Sequence, residues 1–244
     1  MKQTSFAALS AIALALAAGS ANAAITNGNF DGLAGWSTGG DAASVATGGT
    51  HLVLTNAFSD GSDDTDGVNR NVSGNDPLVA DGTGGSLQQF LGVAGTALDP
   101  SEFVQAYEGS AAQQTFTLAQ AGSLSFQWNF STTETSGDPT IADVGFVVID
   151  GQVITLANTL DATAAGDGQY AAQTGWESWS TLLGAGTHTI AFGVVDVGSY
   201  IDTSALSVGD VGVSVSSVPE SSSLAMFGAG LGLLAALQRR RRNG

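Results

Sequence analysis

The sequence predicts an all-β protein built around a single β-sandwich of jelly-roll type. Apolar and polar residues alternate with a period of two in several short runs, and clusters rich in Gly, Asp, Asn and Ser separate these runs. No segment outside the two ends of the chain shows a sustained helical period, so the crossover helices of a parallel α/β sheet are not expected. Residues 24–217 suffice for one such domain with a packed core.

The individual strands follow from this alternation. The clearest is predicted over residues 124–130, where four large apolar side chains alternate with Ser, Gln and Asn. A hairpin is predicted over residues 146–156, because Asp150-Gly151 lies between two β-branched runs and suits a two-residue turn. Further strands are expected at residues 51–55, 87–93, 103–107, 176–182, 187–195 and 205–215.

The composition excludes several classes of protein. The chain of 244 residues carries 22 acidic side chains against 6 Lys and Arg, and its formal net charge of -16 should repel the phosphate backbone of nucleic acids. Because it contains no cysteine, disulfide scaffolds, thiolate zinc sites and cysteine nucleophiles are excluded. Its two histidines lack zinc-site spacing, and no nucleophile elbow occurs. We therefore expect a protein that is not an enzyme and has no nucleic acid partner.

Residues 1–23 have the features of a secretory signal peptide. Lys2 supplies a positive charge, residues 6–18 form an apolar run, and Ala21-Asn22-Ala23 matches an A-x-A cleavage site. The apolar run is shorter than the ~20 residues that a membrane-spanning helix needs. We expect cleavage after Ala23 and export across the inner membrane.

Residues 218–244 combine a short motif, an uncharged segment and a basic end. Val218-Pro219-Glu220 precedes an uncharged, glycine-rich segment at about residues 221–238, which is long enough for a marginal transmembrane helix. The basic end, which the positive-inside rule places in the cytoplasm, consists of Arg239, Arg240, Arg241 and Arg242.

In this order, the three features resemble the PEP-CTERM sorting signal of exported proteins in Gram-negative bacteria. The resemblance covers residues 218–242, and Ser221 stands where that signal usually has a second proline. It implies recognition and cleavage by an exosortase, an intramembrane cysteine peptidase. The expected partners are therefore the exosortase and the inner membrane, which anchors the chain until it is processed and released to the cell surface or extracellular matrix.

A second resemblance concerns the domain itself. Residues 25–31 (ITNGNFD), followed by Gly35-Trp36, resemble the opening of exported β-sandwich and carbohydrate-binding jelly-roll domains, and residues 204–211 resemble their closing strand. In those domains the two segments lie side by side and often hold a structural calcium. The resemblance implies that Asp31 and Asp210 would be calcium ligands, although Gly209 stands where the closing strand usually has another acid.

The densest group of acids lies in residues 59–85, which are predicted to form a long exposed loop. Carboxylate oxygens suit Ca²⁺, but Ser62 and Ser73 stand where an EF-hand loop would need acids. A calcium-binding loop and a solvated acidic loop both remain open as interpretations. The candidate ligands are Asp60, Asp63, Asp64 and Asp66.

Trp176 and Trp179 are the candidate sugar-binding residues. Three positions apart on one predicted strand, they should point to opposite faces of the sheet. One indole is then expected in the core, while the other is free to stack on a sugar ring. The alternative interpretation is that both are buried.

Three functions follow from these features. The main prediction is a non-catalytic structural or adhesion module that presents its acidic surface to matrix polysaccharide, calcium or other proteins. The alternative is a carbohydrate-binding module, which would use one of the two tryptophans. The second alternative is a glycoside hydrolase, which needs two suitably spaced carboxyl groups; candidates for such a pair are Glu134, Asp138, Asp143 and Glu177.

Overall fold

A computed structural model describes residues 25–215 and 221–242. The predicted signal peptide and the Val218-Pro219-Glu220 motif lie outside these described residues. Two helices, α1 (Leu87–Leu91) and α2 (Ser221–Arg242), accompany thirteen strands in the described part of the chain. The strands are β1 (Ser37–Gly39), β2 (Asp41–Val45), β3 (His51–Thr55), β4 (Leu78–Val79), β5 (Ala106–Leu118), β6 (Gly122–Thr132), β7 (Val144–Ile149), β8 (Gln152–Asn158), β9 (Ala164–Ala165), β10 (Ala172–Gln173), β11 (Glu177–Leu183), β12 (Gly186–Val197) and β13 (Ser204–Ser214).

The strands form two antiparallel sheets, which confirms the predicted all-β sandwich. The first sheet has the order β1-β5-β12-β7-β8, with β4 also paired to β5. The second has the order β2-β3-β13-β6-β10-β9, with β11 also paired to β6. Residues 119–121 carry the chain from the end of β5 in the first sheet to the start of β6 in the second.

The main core lies between the two sheets. The apolar residues of β6 that alternate with polar ones are buried, and Phe126 packs edge-to-face on Phe192 of β12, with ring centroids 4.8 Å apart. A second cluster lies between α1 and the other face of the first sheet, where Leu87 and Leu91 meet Phe146 and Val148 of β7. Both faces of the first sheet are therefore partly covered, whereas the outer face of the second sheet carries exposed polar side chains.

The predicted hairpin and five of the other predicted strands are confirmed. Asp150 and Gly151 connect β7 to β8 with φ angles of 51° and 81°, both in the left-handed region that this two-residue turn requires. The confirmed strands correspond to β3, β6, β11, β12 and β13.

The strand predicted over residues 87–93 is wrong, because this segment begins as helix α1. The Ser86 side chain accepts a hydrogen bond from Gln89 N, and Gly92 ends the helix with a φ of 67°. The strand predicted over residues 103–107 is also displaced, since β5 begins only at Ala106 and Phe103 is 87% exposed. The predicted loop 59–85 contains only the short strand β4, but it is not exposed throughout, because Asp63, Asp64 and Arg70 are buried.

Helix α2 covers the segment at which the sequence predicts a transmembrane helix, about residues 221–238. Within residues 25–215 and 221–242, however, no helix is long and apolar enough to cross a membrane. The structure therefore does not support the predicted spanning helix.

Candidate functional site

The opening segment of the domain lies against its closing strand, as the resemblance to exported jelly-roll domains implies. The backbone N–H of Val211 donates a hydrogen bond of 2.9 Å to the carbonyl of Gly28. A Cβ atom on Gly28 would lie 1.8 Å from Val211 O, so the approach requires glycine at this position. The carboxylates of Asp31 and Asp210 are both exposed beside this contact.

Two of the candidate calcium ligands in loop 59–85 are bound to Arg70. Arg70 Nη1 donates to Asp64 Oδ1 at 2.9 Å, and Nη2 donates to Asp66 Oδ2 at 2.5 Å. The hydrogen bond from Arg70 holds the pKa of Asp66 well below its usual range. These carboxylates therefore already have a cationic partner, and they organise the loop.

The other two candidate calcium ligands of this loop accept hydrogen bonds from the backbone. Asp60 accepts from Ser62 N, and the buried Asp63 accepts from Phe58 N. Among residues 25–215 and 221–242, no three or more His, Cys, Asp or Glu side chains form a group that could hold a metal ion. Calcium binding by the loop acids, or by Asp31 and Asp210, stays a prediction without a preformed site.

Trp176 and Trp179 point in opposite directions, as the strand period predicts. Trp179 pairs in register with the buried Phe126 and stacks on it at 5.1 Å with an interplanar angle of 26°. It is thus the core-facing member of the pair. Trp176 is 50% exposed, its ring meets His51 edge-on at 5.5 Å, and its edge lies over Gly209.

Hydroxyl and amide side chains lie on the outer face of the second sheet beside Gly209, over which the Trp176 ring lies and which pairs with Gln127 of β6. Ser178 and Ser180 of β11 lie opposite Gln127 and Ser125 of β6, and all four are exposed. Together with Trp179 and Asp210 they line a shallow cavity of about 340 Å³. We call the following group the Trp176 surface: His51, Ser125, Gln127, Trp176, Ser178, Ser180 and Asp210.

The carboxylates proposed for glycoside hydrolysis do not lie together on an accessible surface. Glu134 and Asp143 are 5% and 2% exposed, while Asp138 and Glu177 are exposed. Sequence reasoning also missed three buried acids, Asp41 of β2, Glu108 of β5 and Asp196 of β12. The available signal was an acid directly after a predicted strand: Asp196 follows the mostly apolar strand predicted over residues 187–195.

No protein-family model matches the chain, and no curated protein matches it. Among solved structures it is similar to a family 61 carbohydrate-binding module, TmCBM61, in complex with β-1,4-galactotriose, at 11% identity, 79% coverage of this chain, 97% coverage of that one and a TM-score of 0.35. A family 35 module from Clostridium thermocellum is 13% identical, with coverages of 72% and 93% and a TM-score of 0.28. The K3 adhesin domain of Lys-gingipain from Porphyromonas gingivalis is 15% identical, with coverages of 80% and 98% and a TM-score of 0.32.

Because these identities are 15% or lower and the TM-scores are 0.35 or lower, the solved structures do not indicate a ligand for this chain. The chain's own residues define a β-sandwich with one exposed indole on a polar sheet face. This outer face of the second sheet, which carries Trp176, is the candidate functional site.

Proposed function

We propose that the domain is a non-catalytic carbohydrate-binding module that binds polysaccharide through the Trp176 surface. The observation that carries this proposal is the half-exposed indole of Trp176, which lies over Gly209 on a sheet face that also carries exposed serine and glutamine side chains. A sugar ring presents an apolar C–H face that packs on an indole, and its hydroxyl groups need hydrogen-bonding partners around the rim. Gln127, Ser178 and Asp210 provide such donors and acceptors.

The charge of the domain narrows the class of polysaccharide. Arg70 is the only Lys or Arg in residues 24–217, and its guanidinium group is already bonded to Asp64 and Asp66. An anionic glycan would therefore meet a negative surface with no free cation to pair with. We expect the ligand to be a neutral polysaccharide.

Replacing Trp176 with Ala tests this function. Loss of one stacking interaction of about 1.4 kcal/mol should weaken the binding of a neutral polysaccharide by about tenfold. Affinity electrophoresis in gels containing a panel of neutral and anionic polysaccharides measures the change. Tyr200→Ala is the matched control, because Tyr200 is a similarly exposed aromatic residue, 54% accessible, outside this surface. Retention of full binding by Trp176→Ala, or equal loss in both variants, contradicts the proposal.

We also propose that the module is exported and sorted to the cell surface or extracellular matrix by an exosortase. This is supported by the sequence features of residues 1–23 and 218–242. Mass spectrometry of the protein recovered from the producing bacterium should show an N-terminus at Ala24 and loss of the Arg239–Arg242 cluster. Replacing these four arginines with Gln should leave the C-terminus uncleaved, and an unchanged mature mass in that variant would count against sorting.

A further inference from the structure

One end of the sandwich contains five buried carboxyl groups. It is the end at which β5 and β7 begin and β12 ends, and the register pairs Ala106 with Val197 and Val144 with Val195 there. Each of the five residues is at most 5% exposed. We call them the buried acid cluster: Asp63, Glu108, Glu134, Asp143 and Asp196.

Hydrogen bonds place members of this cluster close together but leave two of its oxygens without partners. Asp143 accepts hydrogen bonds from Asn56 Nδ2 at 3.0 Å and from Val197 N at 3.1 Å, so its carboxylate lies beside the backbone of Asp196. Glu134 Oε2 accepts from Thr159 Oγ1 at 2.9 Å. Asp196 Oδ1 and Glu134 Oε1 are buried and have no hydrogen-bond partner within the described residues.

The groups that face the cluster are acids or phenols, not cations. Asp196 lies between Val195 and Val197, which pair with Gly109 and Ala106 of β5, so it is opposite the segment that carries Glu108. The charges of the other four members raise the pKa of Asp196, and those of Asp138 and Asp202 act in the same direction on Glu134. The ring of Tyr200 lies 4.3 Å from that of Tyr107, the neighbour of Glu108 in β5. The guanidinium group of Arg70 is bonded to Asp64 and Asp66, outside the cluster.

Five ionised carboxylates cannot share such a site without a compensating charge. Removing even one unpaired carboxylate from water costs several kcal/mol, and like charges at close range add to that cost. Since Arg70, the only Lys or Arg in residues 24–217, is bonded to Asp64 and Asp66, the proton is the available counter-charge. In agreement, burial raises the pKa of Glu108 to about 7 and that of Asp63 to about 6, and it raises the pKa values of Asp143 and Asp196 above their usual range.

We propose that the buried acid cluster is a proton-operated switch, which closes this end of the sandwich while its carboxyl groups are protonated and loosens it when they ionise. The folded state then binds more protons than the unfolded chain, whose carboxyl groups ionise near pH 4. The stabilisation that protonation provides is complete below about pH 4. It is lost as the pH rises through the raised pKa values that the carboxyl groups have in the folded protein. The domain is most stable in mildly acidic surroundings, and alkaline conditions release the contacts around Asp143.

The test compares the unfolding of the full chain in urea at about pH 5 and about pH 8. The unfolding equilibrium constant should rise with pH, by up to about tenfold per pH unit for each proton that only the folded state binds. Asp196→Asn places an uncharged amide where the acid would be protonated. It should stabilise the protein at pH 8, leave it nearly unchanged at pH 5, and flatten the pH dependence.

A second variant and a control keep the test decisive. Glu108→Gln should act in the same direction, so the proposal remains testable if Asp196→Asn does not fold. Asp210→Asn removes an exposed carboxylate outside the cluster and should leave the pH dependence as in the wild type. Stability that does not fall between pH 5 and pH 8 overturns the proposal, as does destabilisation by both cluster variants at pH 8.

Calcium provides a further arm of the same experiment. With protons as the counter-charge, adding Ca²⁺ or a chelator at pH 8 should leave the melting temperature unchanged. A rise in melting temperature with Ca²⁺ that Asp196→Asn abolishes would show that a cation fills the cluster, and this outcome also overturns the proposal. Amide hydrogen exchange at Val197, whose N–H donates to Asp143, reports whether this end is the part that loosens.

Discussion

Gly28 shows how a single residue fixes the contact between the two ends of the domain. Its missing side chain lets the opening segment approach the closing strand until Val211 N donates to its carbonyl. On the closing strand, the register of β13 against β6 shifts between Gly209 and Gly212, and Asp210 has a φ of 53°. This irregularity turns the Val211 N–H toward Gly28 instead of the neighbouring strand.

We predict that Gly28→Ala destabilises the domain by about 2 kcal/mol, because a Cβ at 1.8 Å from Val211 O forces the two segments apart. Thermal unfolding measures the loss as a lower melting temperature. Gly84→Ala is the matched control, since nothing lies within 4 Å of a Cβ at that position. Equal melting temperatures for the two variants would show that the opening segment does not contribute to the stability of the sandwich.

The sequence predicts that the two tryptophans point to opposite faces of the sheet, but it determines neither which one faces the core nor whether the other is exposed. Strand period sets their relative orientation, whereas the side that faces the core depends on pairing with β6, which places Trp179 opposite Phe126. The buried acids were not predictable as a cluster, because Asp63, Glu108, Glu134, Asp143 and Asp196 come from five separate segments of the chain. Only the tertiary fold brings them together and removes them from water.

Among the elements, the strands with a regular period were predictable and the shortest ones were not. Strands β6, β11, β12 and β13 have alternating or continuous apolar runs that a local pattern reveals. Helix α1 has only five residues, too few to show a helical period, and its Leu87, Phe90 and Leu91 resemble a strand in composition. The two-residue strands β4, β9 and β10 form only where they pair with neighbouring strands, and they are too short to show a pattern in the sequence.

The β7–β8 turn is tied to β12 by an ion pair. His188 Nδ1 of β12 lies 2.8 Å from Asp150 Oδ2, and Thr189 N donates to Asp150 Oδ1 at 2.9 Å. The hydrogen bond to Asp150 raises the pKa of His188 above its ordinary value of 6.5. Protonated His188 therefore stabilises the folded state below about pH 6.5, and this contribution is lost as the pH rises through the higher folded pKa.

We predict that Asp150→Asn lowers the pKa of His188 and removes this part of the pH dependence. Titration of the His188 ring resonances by NMR measures the pKa directly. Both the ion pair and the buried acid cluster lose their stabilisation as the pH rises through neutrality, so Asp150→Asn also separates the two effects. If the pKa of His188 is the same in the wild type and in this variant, the ion pair has no influence on the turn.

At the scale of the whole molecule, the net charge of -16 is distributed unevenly. In residues 24–217 the acids are opposed by Arg70 alone, while the remaining basic residues belong to the two ends of the chain. Some acids lie on the surface, where repulsion keeps molecules apart in solution. Others are buried where they can be neutral, as at the buried acid cluster, so the charge of the folded domain is smaller in magnitude than the count of acids implies.

The strand order also determines how much of the chain must be present before the domain can fold. The central strand of the first sheet is β12, between β5 and β7, and in the second sheet β13 joins β3 to β6. Both joining strands lie at the C-terminal end of the domain, so the earlier strands of each sheet remain without their central neighbour until residues 186–214 are present. Folding is governed by contacts distant in sequence, which makes it slow, and a chain emerging from its N-terminus stays largely unfolded until nearly all of the domain is available. This topology suits the proposed export, because a chain still without residues 186–214 can cross a membrane in an extended form before either sheet is complete.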